Sequence, residues 1–331
     1  MRPLQSGMEA PTFVGSSAAM ESVMDLAERV AKSEASVLIL GESGTGKGLL
    51  AACIHLRGNR RERPFVTVPC ANIPAELFES ELFGHERGSH TDAHARKSGK
   101  FEAAHGGTLF LDGLEALSPL VQAKLLRVLQ EKAFERLGGV ETLKVDVRVI
   151  SAGHEGLDAD VATGLFREDL FYRLNVLQIR IPPLRERPED VMPLARHFLK
   201  LHRARTRSGP ERFSTAARRL LVSHSWPGNV REVINAVEAG AIRANGTVIE
   251  PEHLQLSGSA PGSALIAGAA ARSLTLADLE EAYIREILSR TRGNKTRAAA
   301  ILGISRKTLL LKIRKYEAHG EPVGPARSGG G

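Results

Sequence analysis

The sequence is poor in cysteine and in aromatic residues. Only Cys53 and Cys70 occur among its 331 residues, and neither belongs to a CxxC pair. That count excludes a disulfide scaffold and argues against a zinc site, so both thiols are expected to be reduced, as in cytosolic proteins. The N-terminal sequence MRPLQSG also lacks the apolar core of a signal peptide. We therefore expect a cytoplasmic protein.

The sequence also lacks a long run of bulky apolar residues. Its longest stretch without Asp, Glu, Lys or Arg, residues 253–271, is rich in Gly, Ser, Ala and Pro. A membrane-spanning helix needs about 20 predominantly apolar residues, so this stretch predicts a linker, and no membrane association is expected. The balance of 42% hydrophobic and 25% charged residues excludes a disordered or fibrous chain. The length suggests two domains, at about 150 residues each.

Positive charge is concentrated near the C-terminal end. The chain carries a net charge of +7. Between Arg285 and Lys315 there are ten basic residues and a single acid, Glu286, so this segment carries +9 and leaves −2 for the rest. A nearly neutral body with a strongly basic end predicts a separate nucleic-acid-binding module.

A glycine-rich loop separates an apolar strand from a helix in the first quarter of the chain. Residues 37–40 are typical of a buried strand, and residues 49–56 favour a helix. Between them, GESGTGK matches the first seven positions of the phosphate-binding pattern GxxxxGK. A surface turn is the alternative, but the strand–helix context favours backbone N–H groups that converge on phosphates. The predicted ATP or ADP site comprises Gly41, Glu42, Ser43, Gly44, Thr45, Gly46, Lys47 and Gly48.

Further apolar runs indicate more strands, at residues 65–68, 108–111 and 145–152. Because these alternate with helical patterns, they predict an α/β fold with a parallel sheet. From Pro188 to about Leu256 the pattern is helical only, which predicts an α-helical lid. Asp112 ends one strand, where such ATPases hold Mg²⁺ through the nucleotide. A cap on the next element is the alternative role for a strand-end aspartate.

A series of motifs occurs in order between residues 12 and 256: GESGTGKG, ESELFGHERG, GKFEAAHGGTLFLDG, VQAKLLRVLQE, VDVRVIS, LFREDLFYRLNV, IPPLRERPEDV and WPGNVREV. The series closely resembles the AAA+ domain of the bacterial enhancer-binding proteins, which activate sigma-54 RNA polymerase. Residues 293–309 resemble the Fis-type helix-turn-helix of the same family. The resemblance implies an AAA+ parallel sheet with a helical lid, followed by a small all-α DNA-binding domain.

Composition and the family resemblance together predict how the chain is divided into domains, linkers and tails. The predicted parts are an N-terminal tail (1–11), the AAA+ nucleotide-binding core (12–186), the lid (187–256), a flexible linker (257–272), the helix-turn-helix domain (273–316) and a disordered tail (317–331). Because the AAA+ module begins almost at the first residue, we expect a member without an N-terminal sensory domain. The family forms hexameric rings and Fis-type domains dimerise, which implies self-association between dimer and hexamer.

Three arginines correspond to functional arginines of the family. Arg167 and Arg173 match the arginine fingers, which act across the ring on the ATP of the neighbouring subunit. There they neutralise charge on the transferred phosphoryl group. Arg231 matches the sensor arginine of the lid. For each finger, a surface salt bridge is the alternative.

The basic C-terminal segment has the features of a helix-turn-helix. Gly303 suits the tight turn, and Ser305 can cap the second helix. The first turn of that helix would meet base edges, and its later basic residues suit phosphates. A solvated basic helix is the alternative. The predicted contacts with double-stranded DNA, at upstream activating or operator sites, are Asn294, Lys295, Thr296, Ser305, Arg306, Lys307, Thr308, Lys312, Arg314 and Lys315.

Several positions depart from the family pattern at the nucleotide. The acidic residue that polarises the attacking water is Gly113 here, and its partner asparagine is Pro69. The sensor asparagine is His154, and the residue after the loop lysine, usually Glu, is Gly48. Glycine cannot orient or deprotonate water. Glu115 is a nearby candidate, but it is expected to project from a different position of the loop.

The loop that contacts sigma-54 departs as well. The family sequence GAFTGA aligns with GSHTDA, in which a histidine replaces the aromatic contact and an aspartate replaces a flexible glycine. The threonine is retained. The aligned residues are Gly88, Ser89, His90, Thr91, Asp92 and Ala93.

These features support three hypotheses. The first is an ATP-binding, DNA-binding transcriptional regulator that resembles sigma-54-dependent activators, with weak or absent hydrolysis and impaired contact with sigma-54 polymerase. The second is a catalytically silent partner or antagonist that co-assembles with an intact relative and contributes Arg167 and Arg173 to its site. The third is a sigma-54-independent regulator in which ATP binding controls the oligomeric state.

Overall fold

The computed structural model describes residues 13–89, 95–256, 275–291 and 294–317. They belong to two compact units, Met1–Ser257 and Gly258–Gly331. The predicted tail 1–11, the predicted linker 257–272 and residues 318–331 of the predicted C-terminal tail lie outside the described ranges.

The first unit contains short and long elements of both kinds. Its strands are β1 (Val37–Leu40), β2 (Phe65–Pro69), β3 (Gly84–His85), β4 (Lys97–Ser98), β5 (Thr108–Asp112), β6 (Ala133–Glu135), β7 (Thr142–Lys144), β8 (Arg148–Gly153), β9 (Leu177–Arg180), β10 (Arg212–Phe213) and β11 (Val248–Ile249). Its helices are α1 (Ala18–Ala31), α2 (Lys47–Leu56), α3 (Ala75–Phe83), α4 (Lys100–Ala103), α5 (Pro119–Glu131), α6 (Leu157–Ala162), α7 (Glu168–Leu174), α8 (Val191–Thr206), α9 (Thr215–Ser223) and α10 (Asn229–Arg243).

A parallel sheet in the order β2-β5-β8-β1-β9 forms the centre of this unit. Its register places Asp112 opposite both Pro69 and Ala152, and Leu40 opposite Gly153. The carboxyl ends of β5, β8 and β1 therefore meet at one edge of the sheet. In open α/β sheets, ligands bind at this edge.

Apolar side chains cover both faces of the sheet. One cluster includes Leu38, Leu109 and Leu125 of α5, and the other includes Ile39 and Ile54 of α2. Strands buried on both faces have the continuous apolar sequences from which they were predicted. The predicted α/β fold with a parallel sheet is thus confirmed.

The strand predictions were correct for β1 and for β5, which ends at Asp112 as expected. They were one residue short for β2, and they began three residues too early for β8. Val145 does not extend β8, because its backbone N–H donates to the Lys132 carbonyl beside the β6–β7 hairpin (2.8 Å). The edge strand β9 was not predicted, since LQIR is too short for a clear pattern. The lid is helical as predicted, and β10 and β11 add a short parallel pair of two residues each.

The lid is built around Trp226. This side chain is fully buried, and its indole N–H donates to the Leu221 carbonyl (2.9 Å). Trp226 and Asn229 both adopt left-handed backbone conformations (φ 52° and 51°), which are uncommon outside glycine. The resulting tight turn starts α10 and directs residues 228–231 toward the sheet edge.

The described residues of the second unit, 275–291 and 294–317, form three helices, α11 (Leu276–Arg290), α12 (Lys295–Leu302) and α13 (Arg306–Glu317). Between α12 and α13, Gly303 has φ 66°, and Ile304 N–H donates to the Ala299 carbonyl (3.1 Å). Ser305 Oγ accepts the Thr308 N–H (3.0 Å). The predicted turn and helix cap are confirmed. The shared core comprises Ile284, Ile287, Leu288, Ala298, Ala299, Leu309 and Ile313.

A buried carboxylate joins the N-terminal segment to the start of the lid. Asp190 Oδ1 accepts the backbone N–H groups of Ser16 (2.7 Å) and Ser17 (2.9 Å), and Oδ2 accepts the Ser17 hydroxyl (2.7 Å). The buried Arg187 guanidinium lies 3.6 Å away. Burial lowers the pKa of Arg187, and the charge of Asp190 opposes that shift.

We expect Asp190→Ala to lower the free energy of unfolding by about 3–5 kcal/mol, because it leaves the Arg187 charge buried without its partner. Urea unfolding followed by circular dichroism measures the change. Asp158→Ala, at an exposed position of α6, is the control and should leave the midpoint unchanged. Equal midpoints for the two variants would contradict the assignment.

Candidate functional site

The predicted phosphate loop joins β1 to α2 at the carboxyl edge of the sheet. Gly44 and Gly46 have φ values of 82° and 106°, a region that suits glycine. Thr45 Oγ1 donates to the Glu42 carbonyl (2.8 Å), which closes the loop on itself. Helix α2 begins at Lys47, so its N-terminal N–H groups face the loop, as in an anion site.

Lys47 and two carboxylates share this edge. Lys47 Nζ donates to the carbonyls of Gly41 (2.6 Å) and Glu42 (3.1 Å). Burial lowers the pKa of Lys47, while the charges of Asp112 and Glu115 oppose the shift. Burial raises the pKa of Asp112, and Lys47 opposes it. The structure therefore brings the predicted phosphate-binding lysine and metal-holding aspartate into one electrostatic cluster.

The lid contacts the loop directly. Asn229 Nδ2 donates to Glu42 Oε2 (3.0 Å) and to the Ser43 carbonyl (3.1 Å). Arg231 Nη1 donates to Ser43 Oγ (2.9 Å). Arg231 is one of the predicted site residues and Asn229 is not, although both lie within the motif WPGNVREV. We call these lid–loop contacts the clamp.

An ion pair extends the clamp. Arg185 lies 2.8 Å from Glu42 Oε1, and this contact, with that of Asn229, lowers the pKa of Glu42. A β-carbon built on Gly44 would lie 2.3 Å from the Gly228 carbonyl oxygen, so only glycine allows this close approach of two backbones. Arg185 was missed as well, although it lies within the motif IPPLRERPEDV.

Glu115 projects from a different position of the loop, as expected, and its carboxylate lies at this edge. Gly113 has φ 88° and precedes a 3-10 turn over Leu114–Ala116. A β-carbon built on Gly113 would lie 3.8 Å from Glu115 Oε1, and one built on Gly153 would lie 3.8 Å from Glu115 Oε2. The short turn carries the carboxylate back over the ends of β5 and β8.

Two further divergent positions, Pro69 and His154, have clear local roles. Pro69 ends the edge strand β2 beside Asp112, a place where the missing N–H of proline is tolerated. The His154 ring is engaged at both nitrogens: Nδ1 accepts the Gly156 N–H (3.0 Å), and Nε2 then donates to Asp160 Oδ2 (2.7 Å). Its role as a nucleotide sensor stays a prediction.

Arg167 and Arg173 lie on an exposed surface. Arg167 makes a bidentate contact with Asp169 (3.0 and 2.8 Å). Arg173 donates to the Leu129 carbonyl (2.8 Å). Their neighbours along the chain include three exposed apolar side chains, those of Leu165, Tyr172 and Val176.

The predicted sigma-54 contact loop is described only at its start. Gly88 has φ 84°, and a β-carbon on Gly138 would lie 2.8 Å from Ser89 Cβ. His90, Thr91, Asp92 and Ala93 lie outside the described residues. The base of the loop is held by the buried Arg136, which donates to Glu86 (2.8 Å) and Glu102 (2.6 Å).

Some predicted DNA contacts have capping roles in the second unit. Asn294 Oδ1 accepts the Arg297 N–H (3.1 Å) and caps α12. Ser305 caps α13 by accepting the Thr308 N–H, and the hydroxyl oxygens of Ser305 and Thr308 lie 2.8 Å apart. These polar groups satisfy helix N-termini, so DNA contact by them stays a prediction.

The basic residues of the second unit differ in the exposure of their side chains. Lys295, Arg306 and Lys307 are exposed, as is Thr296. Lys312 differs, because its Nζ lies 2.6 Å from Glu280 Oε1 within the same unit. The side chains of Arg314 and Lys315 lie outside the described part of α13.

Three family descriptions match the chain. Residues 13–180 match the Sigma-54 interaction domain, residues 185–264 the AAA+ ATPase lid domain, and residues 275–316 the bacterial regulatory proteins of the Fis family. In the described ranges, no helix is long and apolar enough to cross a membrane.

Similar proteins cover nearly the whole chain. The transcriptional regulatory protein FlbD of Caulobacter vibrioides is 44% identical over 95% of this chain and 72% of its own length. ZraR of Klebsiella oxytoca is 46% identical over 92% of this chain and 68% of its own length. The crystal structure of NtrX from Brucella abortus superposes with a TM-score of 0.72 at 37% identity, over 92% of this chain and 69% of that one.

The phosphate loop, the helical lid and the basic helix-turn-helix together define a nucleotide-binding, DNA-binding transcription regulator of the AAA+ class. Within that class, the chain belongs to the sigma-54-dependent regulators, the enhancer-binding protein family.

We expect Gly113→Glu to lower the free energy of unfolding by about 1–2 kcal/mol, because the left-handed conformation disfavours a side chain. Thermal and urea unfolding would measure the loss. Gly48→Ala is the matched control, since its β-carbon would lie 3.6 Å from Phe110 in ordinary contact, and it should not destabilise. A Gly113→Glu variant as stable as the parent would show that the backbone at this position relaxes freely.

Proposed function

We propose that this protein binds ATP or ADP at the phosphate loop and uses the nucleotide to control its assembly on double-stranded DNA upstream of promoters served by sigma-54 RNA polymerase. The observation that carries this proposal is the clamp. Arg231 and Asn229 of the lid bind Ser43 and Glu42, the same loop that would receive the phosphates.

Nucleotide binding would change these contacts. Lys47 Nζ now donates to the carbonyls of Gly41 and Glu42, and a phosphate is a stronger acceptor than a carbonyl. Lys47 and Arg231 would turn toward the phosphates, and the lid would follow Arg231. The structural relative NtrX has been solved in complex with ATP, with a TM-score of 0.70 at 36% identity, which supports nucleotide binding here.

The residues present also fit a nucleotide-bound magnesium ion. Asp112 is the carboxylate beside Lys47, while Gly48 supplies no hydroxyl where the general phosphate-loop pattern, as distinct from this family's, has Ser or Thr. Mg²⁺ is commonly held by one or two carboxylates, substrate phosphates and waters. Asp112 would therefore hold the ion with the phosphates, and the ion would neutralise charge on them.

DNA binding is assigned to the second unit. Arg306 and Lys307 are exposed in the first turn of α13, directly after the Ser305 cap. In helix-turn-helix proteins, the start of the second helix meets base edges in the major groove. Lys295 is exposed at the start of α12 and suits the phosphate backbone.

Self-association, between dimer and hexamer, is assigned to the surface that carries Arg167 and Arg173. Both arginines are exposed beside apolar side chains that are also exposed. Burying Leu165, Tyr172 and Val176 against a neighbour would favour assembly. It would also carry the two arginines toward that neighbour's nucleotide.

We expect Lys47→Ala to weaken ATP binding at least tenfold, because it removes the cation that would meet the outer phosphates. Titration with a fluorescent ATP analogue measures the affinity. Lys144→Ala, at an exposed position of β7, is the control and should bind as the parent does. Unchanged affinity in Lys47→Ala would place the nucleotide elsewhere.

We expect Lys307→Ala to weaken specific DNA binding by about tenfold, and by more than it weakens binding to random DNA, because it lies where base edges are met. Fluorescence anisotropy with a selected operator and a random duplex, at two salt concentrations, measures both. Lys200→Ala in the lid is the control. Equal losses on both duplexes would make Lys307 a phosphate contact only.

A second candidate function is a catalytically silent partner or antagonist of an intact relative. The exposed Arg167 and Arg173, together with Gly113 in place of the usual acid, favour it. Mixing the protein with an intact relative discriminates the two. Altered ATP turnover by that relative, lost again in Arg167→Ala, would support the partner function. The sigma-54-independent alternative instead requires DNA binding that responds to ATP without any contact with sigma-54.

A further inference from the structure

We infer that the Glu115 carboxylate activates the attacking water in place of the side chain that Gly113 lacks, so that this chain hydrolyses ATP at its own phosphate loop. The inference rests on nucleotide binding at that loop, as proposed above. It gives the chain an active site in which the carboxylate has moved two residues along the sequence.

The position of the Glu115 carboxylate supports this inference. Glu115 Oε1 lies 3.8 Å from the point where a Gly113 β-carbon would be. That distance is comparable to the reach of a glutamate side chain from its own β-carbon. The carboxylate of Glu115 therefore occupies space that a glutamate at 113 could also reach.

The turn that places Glu115 is well defined. Gly113 N–H donates to the Ala152 carbonyl (3.0 Å), and Ala116 N–H donates back to the Gly113 carbonyl (3.1 Å). The left-handed φ of Gly113 makes this reversal possible. Gly113 thus supplies no carboxylate of its own, but its backbone conformation allows the Glu115 carboxylate to reach the edge of the sheet.

The surroundings of Glu115 leave room for its carboxylate and allow water to reach it. Glu115 Oε2 lies 3.8 Å from the β-carbon position of Gly153, so the end of β8 leaves room for the carboxylate. A side chain at 153 would also approach Leu157 Cδ2 at 3.1 Å. Glu115 is exposed, which lets water reach it and lets a captured proton escape to solvent.

The negative charge of Glu115 also acts on Lys47 and Asp112. It opposes the lowering of the Lys47 pKa by burial, and it adds to the raising of the Asp112 pKa by burial. A general base must lie within one water of the group that it serves. Lys47 would hold the outer phosphates and Asp112 the metal, and the Glu115 carboxylate lies at the same edge of the sheet, over the ends of β5 and β8.

The step balances without a further reagent. The water oxygen forms a bond to the γ-phosphorus, and one water proton passes to the Glu115 carboxylate. The bond from the γ-phosphorus to the bridging oxygen breaks, and ADP leaves with the electron pair. Glu115 then returns the proton to solvent.

Glu115→Gln tests the inference, because it keeps the size of the side chain and removes the base. The parent should hydrolyse ATP, and turnover should fall by about 100-fold or more in the variant, while affinity for a fluorescent ATP analogue stays within twofold. In sedimentation, the variant should keep an ATP-dependent assembly that the parent loses as ATP is consumed. Glu131→Gln, exposed at the end of α5, is the control and should behave as the parent does.

The outcomes separate the inference from the proposed function. Parent protein that binds ATP without turnover overturns the inference, leaves nucleotide control in place and favours the silent-partner function. Turnover in Glu115→Gln at the rate of the parent overturns the inference alone. Failure of the parent to bind ATP overturns both. A folding defect in Glu115→Gln would appear as lost nucleotide affinity, and Glu115→Asp, with a shorter reach, should then retain binding with reduced turnover.

Discussion

The contact between the lid and the phosphate loop is the constraint on which the rest of the site depends. Asn229 reaches Glu42 and Ser43 only because the backbone reverses at Trp226 and Asn229. Complete burial of the Trp226 ring holds that reversal in place. Left-handed conformations outside glycine cost about 1–3 kcal/mol each and persist only where the surrounding structure compels them. The buried core of the lid therefore stabilises the position of Asn229 and the contacts that Asn229 makes with the phosphate loop.

The same constraint extends beyond the lid. Arg187 Nη2 donates to the Thr45 carbonyl of the loop (3.4 Å), and Asp190 beside it holds the backbone of Ser17. The loop, the start of the lid and the N-terminal segment are thus joined through one buried ion pair. Since a buried charge is costly without its partner, this ion pair stabilises the three segments together.

Much of this architecture could be predicted from the sequence, because continuous apolar runs and glycine spacing encode buried strands and a phosphate loop. Gly303 and Ser305 were predictable for the same reason, since their roles are local. The edge strand β9 and the β10–β11 pair were not predictable, because partners distant in sequence create them. The ion pair of Lys312 with Glu280 depends likewise on tertiary packing, so a basic residue taken for a phosphate contact has a partner within its own unit.

The role of Gly113 is not visible in a comparison of aligned sequence positions. Alignment shows that the carboxylate is missing at position 113, but it does not show that glycine allows the backbone a left-handed conformation there. In the folded chain that freedom has a structural result: φ of 88° turns the backbone so that a carboxylate two residues later approaches the same edge. Pro69 is consistent with this arrangement, because it offers no side-chain donor to a carboxylate at 113 and borders the edge with an apolar ring. The chemistry of this edge therefore follows from where the carboxylate lies in space, and its position in the sequence is a secondary matter.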